Sequence, residues 1–288
     1  MQTAAIAKRS RDVVLEQWQE LLRLRREVLK TFTIEASHDL RVTSRRLRAA
    51  LGLFYPWLPH KGTARLKKDL RGLTRVLGGL RNIDEALQFF RLRTPPEAAA
   101  GFQLSYLLTL MRSGELVRIE EALKDFDHHH LNRSVRKAAD TLEENQIAGN
   151  DKLPLVACLS GACTALSQDI ELLLPTALSP EERESRHTLR IAIKKLRYFL
   201  EITAPVLKRD FSSTLGPLRE YQTILGRMND IAEFGIICSG LALSRRERTF
   251  VDATLQAEEE LLLKELARLV EQKPLIAVLT VRHGELKH

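Results

Sequence analysis

The chain has 288 residues, 44% hydrophobic and 28% charged, with 45 Lys and Arg against 37 Asp and Glu for a formal net charge of +8, and it suits one large globular domain or two halves of about 140 residues each. The opening residues carry no apolar h-region of a secretory leader, and every apolar run meets a charge well short of the ~18 residues of a membrane span. Cys158, Cys163 and Cys238 form neither an even disulfide set nor a CxxC metal pair, so the expectation is a cytoplasmic chain with core thiols and no membrane partner.

Apolar residues recur at three- and four-residue intervals in 17–29, 49–54, 105–111, 115–126, 200–207 and 253–270, which predicts amphipathic helices. Period-2 runs bounded by Asn-Gly or Asp-Gly turns do not occur, so no sheet is expected. Breaks are predicted from Pro56 to Gly62, at Thr94-Pro95-Pro96, from Ala148 to Asp151, from Pro175 to Pro180 and at Pro205, punctuating about ten or more helices. Ser179, Pro180 and Glu182 read as the N-cap, first and third residues of a capping box. His128, His129 and His130 resemble a metal tract, but adjacent helical positions point about 100° apart and do not converge on one ion, so a helix end or loop is expected and no metal. Glu258, Glu259 and Glu260 read as a solvated helix face.

The positive charge is concentrated. Segments 38–51, 61–81 and 187–200 carry +3, +6 and +4, leaving −5 on the rest of the chain. Two of them are copies of one pattern: HDLRVTSRRLRAAL at 38–51 aligns without gaps to HTLRIAIKKLRYFL at 187–200, with six of 14 positions identical. A second pair follows at nearly the same offset, 148 residues instead of 149, LRGLTRVLGGLRNID at 70–84 against LREYQTILGRMNDIA at 218–232. Two matched blocks in order point to a duplicated helical unit with halves 1–150 and 151–288 related by a pseudo-twofold axis.

On a helix, His38, Arg41, Arg45 and Arg48 occupy one stripe about 80° wide, stacked over roughly 15 Å, opposite Leu40, Leu47 and Leu51. Arg46 flanks it. His187, Arg190, Lys194 and Arg197 repeat the stripe, with Lys195 in the Arg46 position. Lys67 and Arg71 share a face of the next helix, with Arg75 at its margin, and the small residues Gly78 and Gly226 suit close helix approach. Like charges at these spacings repel by a few tenths of a kcal/mol per pair. A multivalent anion offsets that cost through charge-assisted contacts and counterion release, with Arg as a planar fork and Lys as a point charge. For the two histidines a structural hydrogen bond and contact with a ligand are both open readings.

At these residues the chain resembles the CHAD family, the conserved histidine α-helical domain. The resemblance rests on H-x-L-R-V/I-x-x-R/K-R/K-L-R at His38 to Arg48 and again at His187 to Arg197, with Leu-Gly-x-x-Arg-Asn-Ile-Asp at 77–84, and it covers about 8–270. It implies an all-α fold of two bundles around a basic central groove or pore, which binds inorganic polyphosphate without catalysis, in the cytoplasm or on polyphosphate granules. The binding set it implies is Arg41, Arg45, Arg46, Arg48, Arg190, Lys194, Lys195 and Arg197, with His38 and His187 nearby and Lys67, Arg71 and Arg75 by extension. The second half departs from the pattern: Leu215 stands in the place of Lys67, and Asn229-Asp230-Ile231-Ala232 replaces Arg81-Asn82-Ile83-Asp84. The Glu-x-Glu-x-Lys signature of the hydrolase domain fused to some relatives does not occur.

Two other functions compete. A nucleic acid offers the same phosphates, but single-strand binders interleave aromatics that stack on bases, and only Tyr198 lies near a basic stripe. A phosphate-transferring enzyme needs a phosphate loop, a carboxylate cluster for magnesium or a nucleophile–base pair, and none is written here. The expectation is a non-enzymatic polyanion binder with no cofactor, and nucleic-acid binding is the alternative.

Overall fold

The computed structural model describes residues 2–94, 101–148 and 155–275. Among them the chain forms nine α-helices and no strand: α1 (Gln2–Thr31), α2 (Ile34–Leu53), α3 (His60–Arg93), α4 (Phe102–Asp125), α5 (His128–Ala148), α6 (Leu155–Ala177), α7 (Arg183–Leu207), α8 (Ser212–Ser239) and α9 (Arg245–Gln272), with a 3-10 turn at Tyr55–Trp57. The chain is all-α, in fewer and longer helices than the punctuation suggested. Pro175 and Pro205 lie inside α6 and α7. Each helix ends two residues later, so the backbone bond that proline removes falls in the terminal turn, where it costs least. Gly62 is already within α3. Pro95, Pro96 and residues 149–151 lie outside the described residues.

The capping box at Ser179 is not formed. α7 begins at Arg183 with Glu182 at the cap and no side-chain cap bond. Arg186 reaches back to donate to the carbonyls of Ser179 (2.6 Å) and Pro180 (2.9 Å), which holds the preceding residues as a turn. A complete capping box stands at Ser244 instead: its hydroxyl accepts from the Glu247 N–H (3.3 Å) and the Glu247 carboxylate accepts from the Ser244 N–H (3.1 Å). The three histidines open α5, where the Asp127 carboxylate accepts from the His130 N–H at 2.9 Å.

Sequential helices pack as neighbours, α1 on α2, α2 on α3 and α3 on α4, then α6 on α7, α7 on α8 and α8 on α9, while α5 folds back along α1. Contacts of α2 with α7, α3 with α8 and α1 with α7 join the two series. Two apolar cores result. One gathers Trp18, Leu21, Leu40, Leu47, Leu70 and Leu142 from α1, α2, α3 and α5, together with Tyr198, Ile202 and Val206 of α7. The other is built on α6 to α9 around Leu196, Tyr221 and Leu262, and takes Phe90 from α3 and Leu104 and Leu108 from α4. Each core takes residues from both sides of residue 150.

Polar ties fix the helices that matter for the basic stripes. Ser44 on α2 and Thr74 on α3 share a hydroxyl hydrogen bond at 2.9 Å, and Arg9 on α1 donates to the Val206 carbonyl of α7 at 2.7 Å. Trp18 donates its indole N–H to Asn132 at 2.9 Å, so this core tryptophan has its polar atom satisfied. The acidic run on α9 is not a solvated face: Glu258 is buried between Arg93 and Arg227, 2.6 Å from each, and Glu259 pairs with Arg183. Cys158 and Cys163 are half-buried at the core margins, and Cys238 is buried, with its thiol pushed up to about 11 by that burial.

Candidate polyanion site

The leucines of each basic helix decide where its cations go. Leu40, Leu47 and Leu51 anchor α2 in the first core, and Leu189, Leu196 and Leu200 anchor α7 in the second. Because α2 and α7 also pack on each other, their charged stripes come together. Arg41 feels the charges of Arg45, Arg81 and Arg190; Lys194 feels those of Arg45, Arg190, Arg41 and Arg197; Arg48 feels those of Arg71 and Arg45. Stripes 149 residues apart in the chain thus form one cationic cluster, with α3 at its side.

The cluster is only half-solvated, and that sets its electrostatics. Burial, then the neighbouring Arg45, Arg190, Arg41 and Arg197, pushes the Lys194 ammonium down to about 7. Burial and the same kind of neighbours bring Arg41 down to about 10 and lower Arg48 and Arg190. Among the described residues no carboxylate forms an ion pair with Arg41, Arg45, Arg48, Arg190 or Lys194; Asp230 and Glu233 act on Arg190 from beyond pairing distance. The buried Nε atoms of Arg41, Arg46 and Arg48 have no hydrogen-bond partner in the protein.

Other residues of the expected set are committed elsewhere. Glu201, one turn beyond Arg197 on α7, accepts from Arg197 at 2.6 Å and from Arg46 of α2 at 3.2 Å, and lies 3.5 Å from Arg219 of α8. Arg197 is buried, donates its Nε–H to Gln222 (2.6 Å) and lies over the Tyr198 ring, 4.6 Å from its centroid. Arg46 and Arg197 therefore tie α2, α7 and α8 together rather than standing free. Tyr198 is buried under that guanidinium, so the one aromatic near a stripe is unavailable for stacking on a base. Lys195 is exposed on the flank of α7.

On α3, Arg71 and Arg75 are exposed, and Lys67 is half-buried with its ammonium 5.4 Å from the centroid of the Tyr55 ring. Neither glycine is demanded by helix approach. A methyl at Gly226 would meet nothing within 4 Å, and one at Gly78 would only touch the Arg41 guanidinium at 3.8 Å. The space beside Gly78 holds a cation, not a helix.

The histidines sit at the N-terminal ends of the stripes. His187 shares a hydrogen bond with Asn229 of α8 at 2.9 Å, the structural reading. His38 lines the open side of a cavity of about 1110 Å³ with Arg81, Asp84 and Arg112; partial desolvation by the cavity wall, then Arg81, disfavours its imidazolium. Two residues of this region were missing from the sequence reading of the site. Arg81 bridges α3 to α8 through two 3.1 Å bonds to Asp230; burial opposes its charge, but Asp230 outweighs burial and raises it. Glu201 is the other, and its i,i+4 spacing from Arg197 was the signal that could have found it.

A CHAD domain model matches residues 12–235. Among solved structures, the CHAD domain from the plant Ricinus communis superposes with a TM-score of 0.67 at 22% identity, over 96% of this chain and 91% of that one. PptA from Streptomyces chartreusis superposes with a TM-score of 0.65 at 19% identity, over 94% of this chain and 98% of that one. No curated protein sequence matches. The chain belongs to the CHAD domain family.

Proposed function

We propose that this chain binds a linear polyanion, inorganic polyphosphate, along the cluster formed by Arg41, Arg45, Arg48, Arg190 and Lys194, and performs no chemistry on it. Lys67, Arg71 and Arg75 continue the path along α3, and the internal duplication supplies the two stripes. One observation carries the reading: five cations from two helices converge in a half-buried place with no carboxylate paired to them, although the same fold pairs Arg46, Arg81 and Arg197. Holding them together unpaired is unfavourable in the free protein, and a chain of phosphates reverses the sign by giving each guanidinium and ammonium an anionic partner. Polyphosphate suits the cluster better than nucleic acid because it has no bases to stack and Tyr198 offers no ring for them. Association with polyphosphate granules in the cytoplasm follows from the same affinity.

The test is competition at equal phosphate concentration. Long-chain polyphosphate is expected to displace duplex DNA and short phosphates, because it spans both stripes at once. Its log affinity should fall with log salt with a slope of about −3 to −4, as for roughly five neutralised phosphates. Duplex DNA displacing polyphosphate, or a flat salt response, overturns the proposal.

A further inference from the structure

α4 is apolar on two opposite sides. Leu104, Leu108, Ile119 and Leu123 are buried against the rest of the molecule. About 155° around the helix, Phe102, Tyr106, Leu110 and Val117 form a second stripe, and they are exposed by 80%, 61%, 59% and 55%. An ordinary surface helix has one apolar stripe and a polar back. Charges are sparse here too: between Phe102 and Met111 the helix carries none. The exposed stripe amounts to something on the order of 450 Å² of apolar side chain, the size of the largest and often functional patch of a typical monomer, about 300–600 Å².

The spacing within the stripe says what covers it. Tyr106, Leu110, Ser113 and Val117 follow one another at steps of four, three and four residues, the spacing of the central layers of a two-helix seam. Bulky side chains stand in its N-terminal half and small ones in its C-terminal half. A parallel partner would set Tyr106 on Tyr106 and Ser113 on Ser113, with crowding at one layer and a gap at the next. An antiparallel copy sets Tyr106 on the partner's Val117 and Leu110 on the partner's Ser113, large on small in every central layer. That match is self-complementary, as a twofold interface must be. In area, two such stripes give about half of the ~1,600 Å² of a standard interface, and the rims of two 24-residue helices laid side by side supply a comparable polar margin.

We infer that the protein forms a twofold homodimer through antiparallel pairing of α4 with α4 of a second copy, the exposed stripe from Phe102 to Val117 being its apolar centre. This conclusion does not depend on the polyanion reading, since no residue of the cationic cluster lies on α4. Sedimentation equilibrium of the full chain in the micromolar range tests it, with twice 32.8 kDa as the expected mass. Leu110→Glu, at an exposed position that leaves the fold intact by circular dichroism, is expected to raise the dimer dissociation constant at least about 100-fold. Orientation is read by oxidative cross-linking: Leu110→Cys with Ser113→Cys should link two chains efficiently, Leu110→Cys alone should link them poorly, and the unsubstituted chain sets the background from its own cysteines. A mass that stays at 32.8 kDa, a dimer indifferent to Leu110→Glu, or stronger linking by Leu110→Cys alone overturns the proposal.

Discussion

On the proposed function, Lys194 makes polyphosphate binding a proton-uptake reaction with a calculable slope. In the free protein its ammonium titrates at about 7, held down by burial and then by Arg45, Arg190, Arg41 and Arg197. A bound polyanion answers those cations and raises the lysine back towards its ordinary value near 10.4. Between these limits the complex holds one proton more than the free protein, so affinity should fall about tenfold per pH unit above 7, about 1.4 kcal/mol each, and should level off below 7. Stability of the free protein should run the opposite way. The unfolded chain carries the Lys194 proton up to about 10.4 while the folded chain sheds it near 7, so unfolding takes up a proton in this window and stability rises with pH. Calorimetric titration with long-chain polyphosphate from pH 6 to 9 at fixed ionic strength reads the first slope, and urea unfolding at the same pH values reads the second. Lys194→Arg keeps the charge across the range and should flatten both. If wild-type affinity does not change from pH 7 to 9, or Lys194→Arg keeps the wild-type slope, Lys194 does not belong to the binding cluster.

Three further outcomes separate the free cations from the paired ones. Reversing Arg45 and Lys194 together to Glu should weaken polyphosphate binding more than either change alone, with helicity by circular dichroism nearly unchanged, because neither side chain is tied to a carboxylate. Glu201→Gln should raise polyphosphate affinity about threefold at low salt by releasing Arg46 and Arg197, while lowering stability in urea by about 1–3 kcal/mol through the loss of charged hydrogen bonds. Asp230→Asn should cost about 2 kcal/mol, read as a fall in Tm, because it leaves the half-buried Arg81 with only the longer contact to Glu85 at 3.6 Å.

The helical period of the leucines made α2 and α7 legible, and with them the stripes of Arg41, Arg45 and Arg48 and of Arg190 and Lys194, because three- and four-residue spacing fixes the side of a helix whatever it packs against. The matched blocks at 38–51 and 187–200 lie on α2 and α7, which pack on each other. Which cations stay free was not legible. Arg46 meets Glu201 and Arg81 meets Asp230 across about 150 residues of chain, and no local pattern encodes such a pairing. Glu258 failed for the same reason: a run of three glutamates looks solvated until packing places one of them between Arg93 of α3 and Arg227 of α8. The misplaced cap at Ser179 is a different case. The local code was present, but Arg186 competes for the same turn from seven residues away and holds its carbonyls.

The two matched sequence blocks treat one position in opposite ways, and the difference bears on the proposed site. In register, Arg197 corresponds to Arg48, and Glu201, which neutralises Arg197, corresponds to Gly52. The first half therefore has no acid where the second half has one, and the space beside Gly52 is taken by another cation: a methyl there would lie 3.6 Å from the Lys67 ammonium. In the second half the place of Lys67 is held by Leu215, buried in the core. Neutralisation and loss of basic residues thus go together on α7 and α8, while Arg48, Lys67, Arg71 and Arg75 of α2 and α3 form no ion pair with a carboxylate among the described residues. A fold that needed only to hold its helices together would gain from a glutamate at both positions, since an ion pair that ties α2 to α7 and α8 costs nothing that the first half could not also spare. Leaving the first half uncompensated makes sense if its cations face an anion that is not part of the chain, with α2 and α3 as the principal wall of the site and Arg190 and Lys194 of α7 closing it from the other side.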